Sequence, residues 1–337
     1  MFRLLPLLLF AAPLFAQKDP PKEGATPEQI KELGFDPYDQ SGVKLEEPPP
    51  KDFKGKKVVL VAGTKSHGPG DHEFFAGTAI LCNLLKQTAG VWPVMVRDGW
   101  PKDEKVFDGA DAIVFYADGR GGHPAVQKER LKLLGGYMEK GVGWVNLHYA
   151  VDYDPKPGAT VASWMGGFYD AKISTNPHWE AKVRELPKHA IASGVKPFSI
   201  TDEWYFNMKW VGGGTDVTEA KGVTPILQAI PPDDKRGTDD AKLHKGRLET
   251  MAWAYDRKDG GRGFGFTGGH THANWGNEDF RRVVVNAVLW AAKVDVPDGG
   301  AKVDVPKEGA PVKFDAADLN RNLDKKGQAF KKIEAPK

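Results

Sequence analysis

The chain has 337 residues, of which 40% are apolar and 27% charged, with a formal net charge of +2. That length holds one large domain or two ordinary ones, and the apolar share is enough for a real core. Both charge signs are interspersed without a basic block, so nothing points to nucleic acid; the single cysteine, Cys82, excludes an intrachain disulfide.

In chain order, the first element is MFRLLPLLLFAAPLFAQ: a basic Arg3, an apolar run from Leu4 to Phe15, then small Ala16 before Gln17. This is the layout of a secretory signal peptide (residues 1–16), and the run is too short for a comfortable transmembrane helix. Cleavage after Ala16 is expected, with an uncleaved anchor as the alternative. The mature protein is then expected to be secreted or periplasmic, with no stable membrane insertion. Residues 17–54 are rich in Pro, Lys and Glu and read as a linker. Globular patterning begins at KKVVLVAG, a buried-type strand. Asp71 is the expected N-cap of a helix over His72 to Thr88, whose apolar stripe takes up Cys82 as a buried thiol. VWPVMVRD and DAIVFYAD are further strands, the second ending at Asp118. A GRGGH loop leads to Pro124, a good first residue for a helix running to Lys140. GVGWVNLH follows as a strand that stops at His148.

Continuous apolar strands alternating with helices predict a parallel sheet covered on both faces. Ligands bind beyond the carboxyl ends of such strands, which brings together Thr64–His72, Asp118–His123 and His148–Asp154. Farther on, EAKVREL, TPILQAI, MAWAYDR and GRGFGFTGG read as strands. NEDFRRVVVNAVLWAAK carries apolar residues at helical spacing. Residues 297–337 read as a polar, loosely attached tail in which LNRNLDKKGQAFKK forms a surface helix.

Several residue groups have the chemistry of a site. His148, at a strand end, suits a general acid/base or a metal ligand; a Ser or Cys nucleophile is absent from that turn. In GGHTHANW, His270 follows the glycines, and the spacing of His270 and His272 allows a shared metal if the backbone is a strand. TDEWYFN places Asp202 and Glu203 before aromatics, and adjacent acids point apart, so one of the two is expected in the site. A carboxylate beside aromatic planes suits a sugar: Glu203 for proton exchange, with Trp204, Tyr205 and Asn207 as binding groups. Trp164, Trp179 and Trp275 lie near glycines or polar turns and are further candidates for a binding surface. Asp118 and Arg120 flank the glycine-rich loop and complete the set.

The stretches VVLVAG, HEFFAG, DAIVFYADGRGGH, GVGWVNLHYAVDY, WMGGFYDAKISTNPHW, HAIASGVKPFSITDEWYF, GRGFGFTGGH and FRRVVVNAVLWAAK resemble, in order, the ThuA-like family named for trehalose utilisation. The likeness runs from Lys56 to Val296 and gives a domain over 55–296. It implies a flavodoxin-like, doubly wound α/β fold related to class I glutamine amidotransferases. It also implies that histidine replaces the amidotransferase cysteine at His148, with His72, Asp118, Glu203 and His270 gathered around it. One departure, Ala190 in KHAIASG where proline is expected, falls in a loop. The expected activity is breakdown of a disaccharide or keto-sugar by His148, Glu203 and His270. A divalent metal such as zinc on His72, His148 or His270 would assist it, and no other cofactor is implied. The alternative is a carbohydrate-binding module built on exposed tryptophans.

Overall fold

The computed structural model describes residues 23–307 and 310–336, so the expected signal peptide lies outside the described residues. Four apolar runs form β1 (Lys56–Ala62), β2 (Val91–Val96), β3 (Ala112–Tyr116) and β4 (Gly143–Leu147). After four strands outside the central sheet, β5 (Gly167–Phe168), β6 (His178–Val183), β7 (Phe198–Glu203) and β8 (Lys209–Trp210), come β9 (Val223–Ala229), β10 (Glu249–Asp256) and β11 (Arg262–Phe266). The central sheet has seven strands in the order β2-β1-β3-β4-β11-β10-β9. Its first five are parallel, and β10 and β9 add antiparallel pairings.

Alternate residues of β1, β3 and β4 serve opposite faces, as the twofold period of a strand requires. Val58, Leu60, Val114 and Leu147 pack toward α2 (Phe74–Leu85) and α6 (Glu278–Ala291). Val59, Val61, Phe115 and Trp144 pack toward α3 (Arg130–Met138) and α4 (Pro155–Met165). This is the doubly wound arrangement that the apolar runs predict. Among the described residues no helix is long and apolar enough to cross a membrane.

Several boundaries differ from the sequence reading. The expected helix at His72 starts at Phe74, because Asp71 bridges to Thr271 and His72 adopts a left-handed backbone with φ 47°. The helix expected from Pro124 is a short 3-10 turn, Pro124–Val126; Lys128, at φ 53°, breaks the chain before α3. Helix α4 was hidden by Pro155, Pro157 and Gly158, of which Pro155 sits in the tolerated first turn. The strand β7 (Phe198–Glu203) pairs antiparallel with β6, setting His178 opposite Glu203.

The segments read as linker and tail are packed rather than loose. Gly24 donates to Gln328, and Gln40 donates to Asn322, Leu323 and Asp324. Leu319, Leu323, Phe330 and Ile333 are buried in the main core, and helix in that stretch is limited to Ala316–Leu319. The amide of Asp324 donates to Glu73, and Lys326 donates to the carbonyl of Ser66. The tail therefore closes over the loop that follows β1.

Candidate functional site

Three loops at the carboxyl edge of the sheet bring histidines to one point. His148 follows β4 immediately and is fully buried, with φ 56°. His72 lies in the loop after β1, and its amide donates to the carbonyl of His270 at 2.9 Å, tying it to the loop after β11. Non-glycine residues at positive φ carry strain that surrounding structure must hold. Here Lys65 does much of that holding: it is buried, ion-paired with Glu73, and donates to the carbonyls of Gly68 and Asp71.

The contact distances define a small cluster. The Nε2 atoms of His72 and His148 are 3.0 Å apart, and His72 Nε2 is 3.0 Å from His270 Nδ1. Glu203 Oε2 lies 3.2 Å from His270 Nδ1 and 3.6 Å from His148 Nε2. One ligand atom from each of these four residues lies within 4.8 Å of every other.

Protonation follows from the outer contacts. His148 Nδ1 is 2.9 Å from the carbonyl of Thr267, which only accepts, so Nδ1 carries the proton and Nε2 a lone pair. Ser66 donates its hydroxyl proton to Asp118, so at 2.8 Å it accepts from His72 Nδ1; the Nε2 of His72 is also bare. Burial, followed by the charge of neighbouring histidines, pushes His148 well below its usual value and His72 down to about 2. Two buried lone pairs thus face each other. Burial would lower His270 and raise Glu203, but their mutual hydrogen bond outweighs it, so His270 is raised and Glu203 lowered.

Residues 57–291 match the ThuA family, described as "Trehalose utilisation". The chain belongs to this family. Among solved structures it resembles a ThuA-like protein from Bacteroides uniformis, with TM-score 0.51 and 16% identity over 74% of this chain and 97% of that one. A ThuA-like protein from Parabacteroides merdae gives TM-score 0.50 and 17% identity over 79% and 99%. At these identities the likeness shows the fold alone. No curated protein matches the chain.

Within the ThuA fold, the structure brings together His72, Asp118, His148, Glu203, Tyr205 and His270, and sets Arg120 beside them. Of the two adjacent acids, Glu203 faces the cluster. Asp202 turns inward, accepting from the amides of Gly269, Thr271 and Glu203. Three expected binding residues are elsewhere. Trp204 is buried against Phe266 and Phe280, and Trp275 against Tyr116 and Phe280. Asn207 is buried, bonded to Ile173, Asp240 and Arg247. Apolar packing drew both tryptophans into the core, and Trp164 and Trp179 with them. His272 also parts from His270: a 3-10 turn starts there, and it bonds to the carbonyl of Leu319.

The sequence reading missed the rim. His67 stacks on His72 at 3.7 Å, and His178 meets the His270 ring edge-on at 4.8 Å. Asn176 donates to Glu203, and Tyr169 donates to Asn176. The STNPHW stretch held the signal for Asn176 and His178, since a strand starting there pairs with TDE.

Asp118 acts through His72, orienting its ring from 3.3 Å. Supporting residues of this kind fix the tautomer of a metal-binding histidine, and their loss costs about 10- to 100-fold in affinity. Were His72 to hold zinc, Asp118→Asn would weaken its binding by that factor at unchanged melting temperature. Unchanged affinity in a competition titration would remove Asp118 from the site.

Proposed function

We propose that His72, His148, His270 and Glu203 hold a divalent transition metal such as zinc, and that the protein is a metal-assisted enzyme of carbohydrate breakdown. The observation that carries this reading is the pair of bare, buried Nε2 atoms 3.0 Å apart. Buried polar atoms are normally paired, and these two have no proton to share. A cation between them removes the conflict. Three nitrogens and one carboxylate oxygen are a donor set suited to zinc and its neighbours. The outer contacts to Thr267, Ser66 and Asp118 are those that such ligands require. When bound, the metal would polarise a substrate carbonyl or acidify a bound water.

The chain's own residues supply the rest. Glu203 accepts at both oxygens, from Asn176 on one and from Tyr205 and His270 on the other, which keeps it ionised and fixed in position. A carboxylate held this way can take a proton from a carbon next to a keto group, or from water. Without a metal, His270 Nδ1 holds its proton on that carboxylate; as a ligand it would give that proton up, and proton exchange with the substrate would fall to Glu203. The same carboxylate serves hydrolysis, elimination or isomerisation of a keto-sugar. The histidine at the strand end stands where an amidotransferase would carry its nucleophile, and Cys82 is buried in α2. The working location is outside the cytoplasm, following the signal-peptide layout of residues 1–16.

Residues 17–337 are expected to bind about one equivalent of zinc by elemental analysis and to turn over a 3-keto-disaccharide. Loss of turnover with a chelator and recovery with zinc complete the result. A protein that is inert with and without added metals overturns the enzyme reading. Binding of intact sugars without turnover would instead favour a carbohydrate-binding role, although the four tryptophans expected to serve it, Trp164, Trp179, Trp204 and Trp275, are buried.

A further inference from the structure

Beside the histidine cluster the loop after β3 reads Asp118-Gly119-Arg120-Gly121-Gly122. Its left-handed position, φ 49°, is taken by Arg120 although three glycines surround it. Glycine adopts that conformation without cost, and arginine does not. The side chain, not the backbone, accounts for the choice. The loop is also clamped: the amide of Arg120 donates to the carbonyl of Asp152 at 2.8 Å, and a Cβ on Gly119 would collide with the carbonyl of Tyr149.

Arg120 is held in an unusual way. Its Nε contacts both oxygens of Asp152, at 3.2 and 3.0 Å, and Asp152 is buried. A guanidinium ordinarily meets a carboxylate with two nitrogens. Here one nitrogen does so, and neither Nη atom has a protein partner among the described residues. The side chain is 43% exposed, so the two Nη groups form an open fork of donors.

The fork is connected to the cluster. The backbone at Asp152 bridges to that of Tyr169, the Tyr169 hydroxyl donates to Asn176, and Asn176 donates to Glu203. Tyr149, next to His148, lies 6.0 Å ring to ring from His72. One wall therefore runs from Arg120 to Glu203, joined by backbone at Asp152 and by side chains from Tyr169 onward.

The charge of that wall selects the ligand. Asp152 offsets Arg120, and Asp118, two residues away in the same loop, adds negative charge beside it. An anionic group placed on the fork would meet a compensated cation and nearby carboxylates. An uncharged oxygen meets only donors.

We propose that Arg120, positioned by Asp152, determines specificity by donating to hydroxyl or keto oxygens of an uncharged sugar ring, and that it discriminates against carboxylated or phosphorylated sugars. The ligand class rests on the carbohydrate reading above; the role of Arg120 does not depend on the metal.

The test uses two probes with the full mature chain at pH 8: a methyl 3-keto-glucoside, and the same compound carrying a carboxylate at C6. Calorimetry gives affinity, and elemental analysis gives metal content separately. Wild type is expected to favour the neutral probe by about tenfold or more, one hydrogen-bonded contact's worth. Arg120→Ala loses that affinity at unchanged metal content. Arg120→Lys, which keeps the charge but not the fork, loses most of it. Asp152→Asn keeps the shape, unmasks the cation and shifts the preference toward the carboxylated probe. Equal affinity of Arg120→Ala and wild type for the neutral probe overturns the proposal, as does an unchanged probe ratio in Asp152→Asn or no binding of either probe. Arg120-dependent binding by a protein that holds no metal supports this proposal while overturning the metal reading.

Discussion

His148→Ala is expected to weaken zinc binding by well over the roughly 10- to 100-fold that a supporting residue contributes, and to abolish keto-sugar turnover. Both Nε2 atoms of the central pair are needed to make the site, and this variant removes one of them. The fold should survive. The variant leaves the carbonyl of Thr267 without its donor, at a cost of about 1–3 kcal/mol. The metal-free comparison is informative, because the two lone pairs no longer oppose each other. Wild type, with zinc at about a thousand times its dissociation constant, should gain about 4 kcal/mol over the metal-free form. For His148→Ala that gain disappears. The measurement is a pair of thermal melts with zinc and with chelator, read beside the metal content. A variant that retains stoichiometric zinc and the full thermal gain refutes the ligand assignment.

The second large effect is expected in the loop that holds His72. Lys65→Met leaves Glu73 buried, with its Oε1 bonded only to the amide of Gly70 and its Oε2 to that of Asp324. Breaking a buried pair from one side costs about 3–5 kcal/mol, because a charge is left uncompensated. At this domain size that corresponds to a melting temperature lower by roughly 10 °C. The carbonyls of Gly68 and Asp71 also lose their donor, so the loop that holds His72 slackens and zinc affinity falls with stability. Replacing both partners, in Lys65→Met/Glu73→Leu, should recover much of the stability but not the affinity. If Lys65→Met melts as wild type does, the pair has no such role.

The reach of the sequence can be judged residue by residue. Strands β1 to β4 of the central sheet were legible because they are apolar runs. Burial on both faces writes that signal without ambiguity. His148 was legible for the same reason, since a run of that kind ends at the site. Glu203 could be separated from Asp202 only in part: alternation says that neighbours diverge, but not which one faces inward. The tryptophans misled because polar neighbours in sequence say little about burial: Trp204 fills the space between β11 and α6, and Trp275 that between β3 and α6. Asn176 and His178 were hidden because they reach the site through long-range pairing, above all the register of β6 on β7, whereas His67 lies in the Thr64–His72 stretch that the strand-end rule already brings there. The tail was misjudged because its apolar residues, Leu319, Leu323, Phe330 and Ile333, are spread thinly among lysines.

That tail bears on the order of events in making the protein. The loop of His72 is closed by Asp324 and Lys326, and the turn after His270 is closed by Leu319. Domains assemble as synthesis proceeds from the amino terminus, so the sheet and its helices can form before residues 319–336 have left the ribosome. The histidine cluster cannot be finished at that stage. Its outer wall is supplied by those residues, and the same stretch pairs with Gly24 and Gln40, which were made long before. Completion of the site therefore waits for a segment made after every candidate ligand, and a chain cut short before Leu319 would carry all of those ligands yet present them in unbraced loops.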